Sequence, residues 1–186
     1  MRDRPRRQSY GDGASARPAS VAALIRLASS ADLPAIVAIY NATIPTRAST
    51  ADLEPVSVVS RRPWLARHDP ARRPCWVIEV NGEVAGWLSL ENYKDRGAYS
   101  ITAEVSVYID AEQRRKGYAR TLLDHAIERA PDLGIERLMA VAFGHNAASI
   151  ALFEARGFER WGLLPGVTRL DGRAADIVIL GRAVAA

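Results

Sequence analysis

One short segment, RRKGYA at Arg114–Ala119, restricts the fold of this chain more than any other. It follows the strand-like alternation of ITAEVSVYI and opens an amphipathic helix pattern that runs to position 130. Cations at a helix N-terminus face partial positive charge of the same sign, so an anion is expected to sit there. Such a turn presents backbone N–H groups to the anion, and Gly117 allows a close approach. The pattern therefore predicts a strand, a diphosphate-binding turn and a helix in succession.

The rest of the chain predicts a mixed α/β fold. Strand patterns lie near 23–28, 75–80, 84–90, 101–109, 136–143, 158–164 and 174–180, and helix patterns near 29–41, 56–67, 117–130 and 146–157. Asn81-Gly82 predicts a tight hairpin, Ser30 is expected to cap the first helix, and Gly157 is expected to end the last. These elements favour an α/β (α+β) domain with a mixed, mostly antiparallel sheet of about six to seven strands and helices on both faces.

Charge and hydropathy limit the partners that we expect. The net charge is +4, and the first 20 residues contribute +3 of it through five Arg and two Asp. Because the remaining chain carries almost no net charge, we expect no nucleic-acid partner. No apolar run approaches the ~18 residues of a membrane span, so no membrane association is expected either.

Domain organisation and redox setting follow from similar arguments. We expect residues 1–22 to form a disordered basic leader and residues 23–186 to form one domain. The single Cys75 excludes a disulfide within the chain and favours a cytoplasmic location. His68, His125 and His145 do not have the spacing of metal ligands, so we expect no metal.

The basic turn lacks the spacing of a dinucleotide-binding glycine motif or of a P-loop. It resembles instead the [QR]-x-x-G-x-[GA] motif of the GCN5-related N-acetyltransferases. A second block, NAASIALFEARGF at 146–158, resembles that family's N-x-x-[SA]-x-x-[LF]-[YHF]-x-x-x-GF pattern. The stretches at 73–90, 102–109 and 171–180 further resemble the phosphinothricin and methionine sulfoximine acetyltransferases.

This resemblance implies transfer of an acetyl group from acetyl-CoA to the primary amine of a small amino acid or an analogue, such as phosphinothricin or methionine sulfoximine. It also implies a sheet whose fourth and fifth strands splay apart to hold pantetheine, and a cytoplasmic homodimer. Two other functions stay open. One is a non-catalytic acyl-CoA sensor, and the other is an acetyltransferase that acts on a protein N-terminus or a polyamine.

The resemblance also assigns roles to individual residues. An ammonium group must lose a proton before it attacks a thioester, and Glu104 is the implied base. The alternative is that Glu104 lies on the solvent face of its strand. The implied cofactor-binding residues are Val107, Tyr108, Ile109, Arg114, Arg115, Lys116, Gly117, Tyr118, Ala119, Arg120, Asn146 and Ser149. Asn146 is expected to cap its helix as well, and capping alone is its alternative role.

Two positions depart from the family pattern. Phe153 stands where many relatives carry a Tyr or His near the departing sulfur, and it cannot donate a proton. Lys94 stands where the subfamily has an arginine that binds the substrate carboxylate, and it offers a point charge in place of a fork. Arg96 could substitute for it, or Lys94 could be a surface charge. Tyr40 is expected to border the acceptor site unless it only packs in the core.

Overall fold

The computed structural model describes residues 23–184, and the leader expected at 1–22 lies outside the described residues. The division into leader and domain therefore stays a prediction. Seven strands and four α-helices occur in residues 23–184. They are β1 (Ala23–Leu27), α1 (Leu33–Asn41), α2 (Val58–Ala66), β2 (Cys75–Val80), β3 (Glu83–Asn92), β4 (Thr102–Ile109), α3 (Tyr118–Arg129), β5 (Arg137–Phe143), α4 (Ala147–Glu154), β6 (Glu159–Leu170) and β7 (Arg173–Ala183).

The strands form one mixed sheet in the order β1-β2-β3-β4-β5-β7-β6. Every neighbouring pair is antiparallel except β4 and β5, which run parallel. The predicted fold class is confirmed. The last two strands are longer than predicted, because β6 is an edge strand that is exposed along most of its length and so shows little apolar alternation.

Helices cover both faces of the sheet, as predicted. The larger core lies between the sheet and the helices α3 and α4, and it includes Leu88, Leu122, Leu138 and Phe153. The smaller core lies on the opposite face, where Ile36 and Trp64 of α1 and α2 pack on strands β2 and β3. The site described below opens between these two cores.

The start of α1 corrects one expectation from the sequence. Ser29, and not Ser30, precedes the first helical turn in extended backbone. The N–H and the hydroxyl of Ser29 both donate to Asp32 Oδ2, at 2.7 and 2.9 Å. Asp32 also accepts two hydrogen bonds from Arg26 of β1 at 2.8 Å each, so strand and helix are joined at a buried carboxylate. The cap is Ser29 and not the predicted Ser30, because Ser30 already lies inside the first helical turn.

The two central helices begin as predicted. Gly117 precedes α3 with a φ of +90°, a conformation that side chains with a Cβ rarely adopt. Asn146 precedes α4, and its Oδ1 accepts the N–H of Ser149 at 3.0 Å. The predicted helix end at Gly157 is also present, with a φ of +75°.

Strands β4 and β5 pair over a short distance and then separate. Their register covers only Thr102 to Glu104 of β4 and Arg137 to Met139 of β5. Beyond this point β4 continues to Ile109 beside β3, and β5 continues to Phe143 beside β7. The sheet therefore contains an opening between two strands, which we call the splay. This is the separation of the fourth and fifth strands that the sequence resemblance implied.

Candidate active site

A cleft of about 570 Å³ runs from the splay to the basic turn. It is lined by the end of β4, the turn at 113–115, the first residues of α3, and the first turn of α4. Almost all of the predicted cofactor residues border this cleft. They are Val107, Tyr108, Ile109, Arg114, Arg115, Gly117, Tyr118, Ala119, Arg120, Asn146 and Ser149. Lys116 does not line it, and its Nζ instead donates to Gln113 Oε1 at 2.9 Å.

The start of α3 supplies free hydrogen-bond donors to this cleft. The N–H groups of Gly117, Tyr118, Ala119 and Arg120 meet no acceptor among residues 23–184. Gly117, the residue before the helix, has no side chain with which to cap them. Arg115 and Gly117 both have positive φ values, +62° and +90°. Backbone of this kind forms a concave set of N–H groups that suits an anion such as a diphosphate.

Every second residue of β4 directs its backbone N–H and C=O groups into the splay. The N–H of Asp110 donates to Ala85 of β3 at 3.0 Å. Because such pairing alternates along an antiparallel ladder, the backbone of Tyr108 points toward β3, and that of Val107 and Ile109 points toward the splay. We therefore narrow the backbone prediction to Val107 and Ile109. Tyr108 borders the cleft through its side chain, whose hydroxyl donates to the carbonyl of Ser49 at 3.2 Å.

The cleft continues into an inner cavity of about 200 Å³ that contains Glu104. The two spaces share Ala48, Ser49, Val107, Tyr108, Asn146 and Ser149 as lining residues. Glu104 is half-buried. Burial raises the pKa of this carboxyl, Glu91 raises it further, and Lys94 acts in the opposite direction. The raised pKa makes this carboxylate a stronger base than a carboxylate in open solvent.

A third cavity of about 170 Å³ lies beyond Tyr108, and we call it the acceptor cavity. Ser106 and Tyr108 line both this space and the inner cavity, so the two are neighbours. Its walls are Ile36, Val37, Tyr40, Val56, Arg61, Trp64, Trp87, Ser89, Glu91, Ser106 and Tyr108. The rings of Trp87 and Tyr108 stack with centroids 4.5 Å apart. The cavity can therefore hold a small organic molecule between aromatic faces and a few polar groups.

Tyr40 occupies the acceptor cavity through a hydrogen-bond network. Its hydroxyl donates to Asp52 Oδ2 at 2.6 Å and accepts from Thr50. Burial, followed by the bond to Asp52, raises the pKa of Tyr40. The guanidinium of Arg61 lies over the Tyr40 ring, with Cζ 4.7 Å from the centroid, and pairs with Asp52 at 3.1 Å.

The sequence interpretation missed several of these residues. Strands β3 and β4 place three rows of paired side chains on this face, namely Trp87 opposite Tyr108, Ser89 opposite Ser106, and Glu91 opposite Glu104. The alternation of ITAEVSVYI indicates which residues share a face with Glu104, but the pairing register comes only from the folded sheet. No sequence pattern indicated that Arg61 and Trp64 reach the site, because α2 was predicted without the strand on which it packs.

A loop crosses the splay above the inner cavity. The Nδ2 of Asn146 donates to the carbonyl of Ala48 at 2.7 Å, and Tyr108 binds the carbonyl of Ser49 from the other side. Asn146 therefore caps α4 and holds this loop. Its predicted bond to pantetheine stays a prediction.

The two basic residues predicted to bind substrate lie in a separate groove. Lys94 and Arg96 line this groove together with Arg67, Asp69, Arg72 and Arg73. Neither Lys94 nor Arg96 lines the inner cavity or the acceptor cavity. Lys94 nevertheless acts on the site, since its positive charge lowers the pKa of Glu104. The role of either residue in substrate binding stays a prediction.

Phe153 forms an apolar wall of the inner cavity. It is buried and packs edge-on against Phe158, with ring centroids 5.1 Å apart. It offers no proton donor to a ligand in the splay.

Residues 23–184 contain neither a candidate metal site nor a candidate membrane-spanning helix. In this part of the chain, no group of three or more His, Cys, Asp or Glu side chains is arranged to hold a metal ion. None of its helices combines the length and the apolar character needed to cross a bilayer.

The sequence model described as "Acetyltransferase (GNAT) family" matches residues 34–158. YwnH of Bacillus subtilis (strain 168), provisionally named a phosphinothricin acetyltransferase, is 51% identical over 159 residues, which are 85% of this chain and 97% of that protein. The L-methionine sulfoximine/L-methionine sulfone acetyltransferase of Pseudomonas aeruginosa PAO1 is 35% identical over 161 residues, covering 86% and 94% of the two chains.

A solved structure extends this likeness to three dimensions. It is a GNAT superfamily phosphinothricin acetyltransferase from Sinorhizobium meliloti in complex with AcCoA. It aligns with a TM-score of 0.82 at 30% identity, over 87% of this chain and 88% of that one.

Proposed function

The chain belongs to the GNAT acetyltransferase family, within the group of phosphinothricin and methionine sulfoximine acetyltransferases, and we propose that it transfers the acetyl group of acetyl-CoA to the primary amine of a small amino acid or amino-acid analogue. One observation carries this proposal. A continuous path leads from the free N–H groups at Gly117–Arg120, through the splay, to the half-buried carboxylate of Glu104.

The cofactor would be held mainly by backbone. The N–H groups at the start of α3 suit the diphosphate, and the side chains of Arg114, Arg115 and Arg120 add positive charge beside it. The pantetheine arm carries amides, which match the backbone groups that Val107 and Ile109 turn into the splay. This arrangement would direct the thioester toward Glu104.

The chemistry needs one base and one oxyanion donor. Glu104 would accept the proton of the acceptor ammonium, and its raised pKa suits that task. The freed amine attacks the thioester carbon, so a C–N bond forms, the C–S bond breaks, and the nitrogen loses its second proton to solvent. A backbone N–H in the splay, that of Val107 being the best placed by register, would stabilise the oxyanion formed on the way.

The thiolate would leave without a side-chain acid at position 153. A thiol has a pKa near ~8.5, so its anion is a tolerable leaving group near neutral pH. Solvent then protonates the free coenzyme. Phe153 would contribute only an apolar wall to the inner cavity.

The acceptor cavity supports a small substrate. A volume of about 170 Å³ bounded by Tyr40, Trp64, Trp87 and Tyr108 fits an amino-acid side chain better than a peptide segment. Phosphinothricin and methionine sulfoximine, the compounds that the relatives' names specify, combine an α-amino group with a short polar side chain. Lys94 or Arg96 would bind their carboxylate from the neighbouring groove.

A cytoplasmic homodimer also belongs to the proposal. Strand β6 exposes several large apolar side chains, including Trp161, Leu163 and Val167, and a second copy of the chain could cover them. Sedimentation equilibrium should give twice the mass of one chain. A monomer at micromolar concentration would contradict this part of the proposal.

The test is release of thiol from acetyl-CoA with a panel of amines. The panel contains free amino acids, methionine sulfoximine, phosphinothricin, a polyamine and an alanine-terminated peptide. We expect activity with the amino-acid analogues and a loss of about 10²- to 10⁴-fold in kcat/KM for Glu104→Gln, because that variant lacks the base. Calorimetry should show unchanged binding of coenzyme A to the variant.

Two results would favour a different function. Tight binding of coenzyme A without transfer to any amine would favour an acyl-CoA sensor. Activity confined to the peptide or the polyamine would favour an acceptor of that class.

A further inference from the structure

Two carboxylates line the neighbouring inner and acceptor cavities, one in each, and the proposed chemistry uses only one of them. Glu91 of β3 stands directly opposite Glu104 of β4 in the antiparallel register. Residues opposite each other in such a ladder have their Cβ atoms about 4.5–5.5 Å apart on the same face. Glu104 lines the inner cavity and Glu91 lines the acceptor cavity.

Like charges placed opposite each other destabilise a sheet. Among residues 23–184, neither Glu91 nor Glu104 forms a salt bridge. The cation that lowers the pKa of Glu104 is Lys94, which lies in the separate groove. A cation placed between the two carboxylates would relieve their repulsion.

Glu91 is held in position from the side. The indole Nε1 of Trp64 donates to Glu91 Oε1 at 3.0 Å. Trp64 is itself buried and packs edge-on against Trp87 and His68, with ring centroids 5.5 and 4.7 Å apart. This anchor keeps one oxygen of an otherwise exposed side chain at the rim of the acceptor cavity and leaves the other oxygen available.

We propose that Glu91 is a second acidic residue of the acceptor site and that, together with Glu104, it holds the ammonium group of the acceptor before proton transfer. The inference rests on the proposed function and deepens it, because it names the feature that selects cationic amines. Glu104 takes the proton from the nitrogen, and Glu91 stays anchored by its hydrogen bond from Trp64. The two carboxylates thus have different tasks, with Glu91 fixed by an indole and Glu104 free to reach the amine.

The pairing also predicts an effect on Glu104 as a base. The groups whose charge acts on the pKa of Glu104 are Glu91 from β3 and Lys94 from the following loop. Tyr108, from the same strand as Glu104, lines the inner cavity beside it. The lining of the inner cavity that the structure describes adds no further titratable side chain. Since Glu91 raises the pKa of Glu104, removal of its charge should lower that pKa.

The experiment compares Glu91→Gln with wild type, using the best amine from the panel and acetyl-CoA. We expect the KM for the amine to rise about tenfold, as for loss of one hydrogen bond to a charged group, with kcat within about threefold. The KM for acetyl-CoA should not change. The acid limb of the pH profile of kcat/KM should move to lower pH, which a merely structural role of Glu91 would not cause.

Two further variants complete the design. Glu83→Gln removes a carboxylate from the exposed start of the same strand and should match wild type. Trp64→Phe removes the N–H that anchors Glu91, keeps an aromatic ring, and should raise the amine KM by a smaller factor than Glu91→Gln. Thermal melting of each variant shows that it is folded.

The results distinguish failure of the role proposed for Glu91 from failure of the proposed function. An amine KM and a pH profile of Glu91→Gln equal to those of wild type would overturn the role of Glu91 and leave Glu104 and the proposed function untouched. If wild type transfers acetyl to no amine, the proposed function fails and the role of Glu91 fails with it.

Discussion

The cofactor cleft and the acceptor cavity are neighbours, but they are built from different parts of the polypeptide. The cleft is formed largely by main chain, namely the first turn of α3 and the separated edge of β4. The acceptor cavity is formed by side chains from α1, α2, β3 and β4, which meet only in the folded protein. Main-chain recognition tolerates changes of side chain, whereas the acceptor cavity changes with each residue that lines it. One fold can therefore keep its coenzyme and vary its substrate.

Gly117→Val gives the sharpest test of the cofactor cleft, which is formed largely by main chain. A β-branched residue cannot adopt a φ of +90° without strain, so the start of α3 should rearrange and lose its concave set of N–H groups. We expect affinity for coenzyme A to fall by about 30-fold or more, on the basis of roughly 2 kcal/mol of strain. Isothermal titration calorimetry measures this loss.

Gly172→Val is the matched control for this change. Gly172 has a φ of +84° and lies in the β6–β7 turn, away from the cofactor cleft. Like Gly117, it has open space where a Cβ would stand. We expect it to lower the melting temperature without weakening coenzyme binding. Equal loss of binding in both variants would mean that backbone strain, and not the geometry at α3, determines affinity.

Asp32→Asn tests the contact that joins α1, a helix that lines the acceptor cavity, to strand β1. Arg26, followed by the bonds from Ser29, lowers the pKa of the buried Asp32 from 3.8 to about 2. A shift of nearly two units corresponds to about 2 kcal/mol of folding free energy. This stability is present above pH 3.8 and is lost as the pH falls toward 2.

Urea unfolding measures the effect of Asp32→Asn. The variant should be less stable than wild type by about 2 kcal/mol at pH 7, and the difference should shrink below pH 4. Asp124→Asn, in an exposed pair with Arg120 and Arg156, should cost less than about 1 kcal/mol. A difference between Asp32→Asn and wild type that does not depend on pH would contradict the role of the carboxylate charge.

Tyr40→Phe tests whether the acceptor cavity acts independently of the cleft. The variant loses the hydrogen bond to Asp52, which also holds Arg61. We expect a rise of about three- to tenfold in the KM for the amine, from a loss of roughly 1 kcal/mol. The KM for acetyl-CoA should stay as in wild type. Tyr99→Phe, at an exposed tyrosine, is the control.

Phe153→Tyr should have the smallest effect. The added hydroxyl would lie at the wall of the inner cavity, where it could donate a proton to the departing sulfur. Because a thiolate is already a tolerable leaving group, we expect kcat to change by less than about twofold. A rise of tenfold in pre-steady-state transfer would show that protonation of sulfur limits the wild-type reaction.

The difference between the cofactor cleft and the acceptor cavity also explains which site residues could be predicted from the sequence. Gly117 and Asn146 were identified because a turn and a helix cap are local features, encoded within a few residues. The alternation around Glu104 likewise predicted the strand. Arg61, Trp64 and Glu91 could not be found, because they reach the site through helix packing and through the β3–β4 register. Such contacts between distant segments leave no pattern in a single sequence.

The separation of β4 from β5 has a thermodynamic consequence. A continuous sheet would satisfy the N–H groups of Val107 and Ile109 internally, but here they meet no acceptor within residues 23–184 and are left for another molecule. A coenzyme that enters the gap therefore takes the place of missing strand contacts and becomes part of the folded structure. By linkage, a concentration 100 times its Kd adds about 2.7 kcal/mol to the free energy of unfolding. The cellular lifetime of this protein should then follow the supply of its coenzyme.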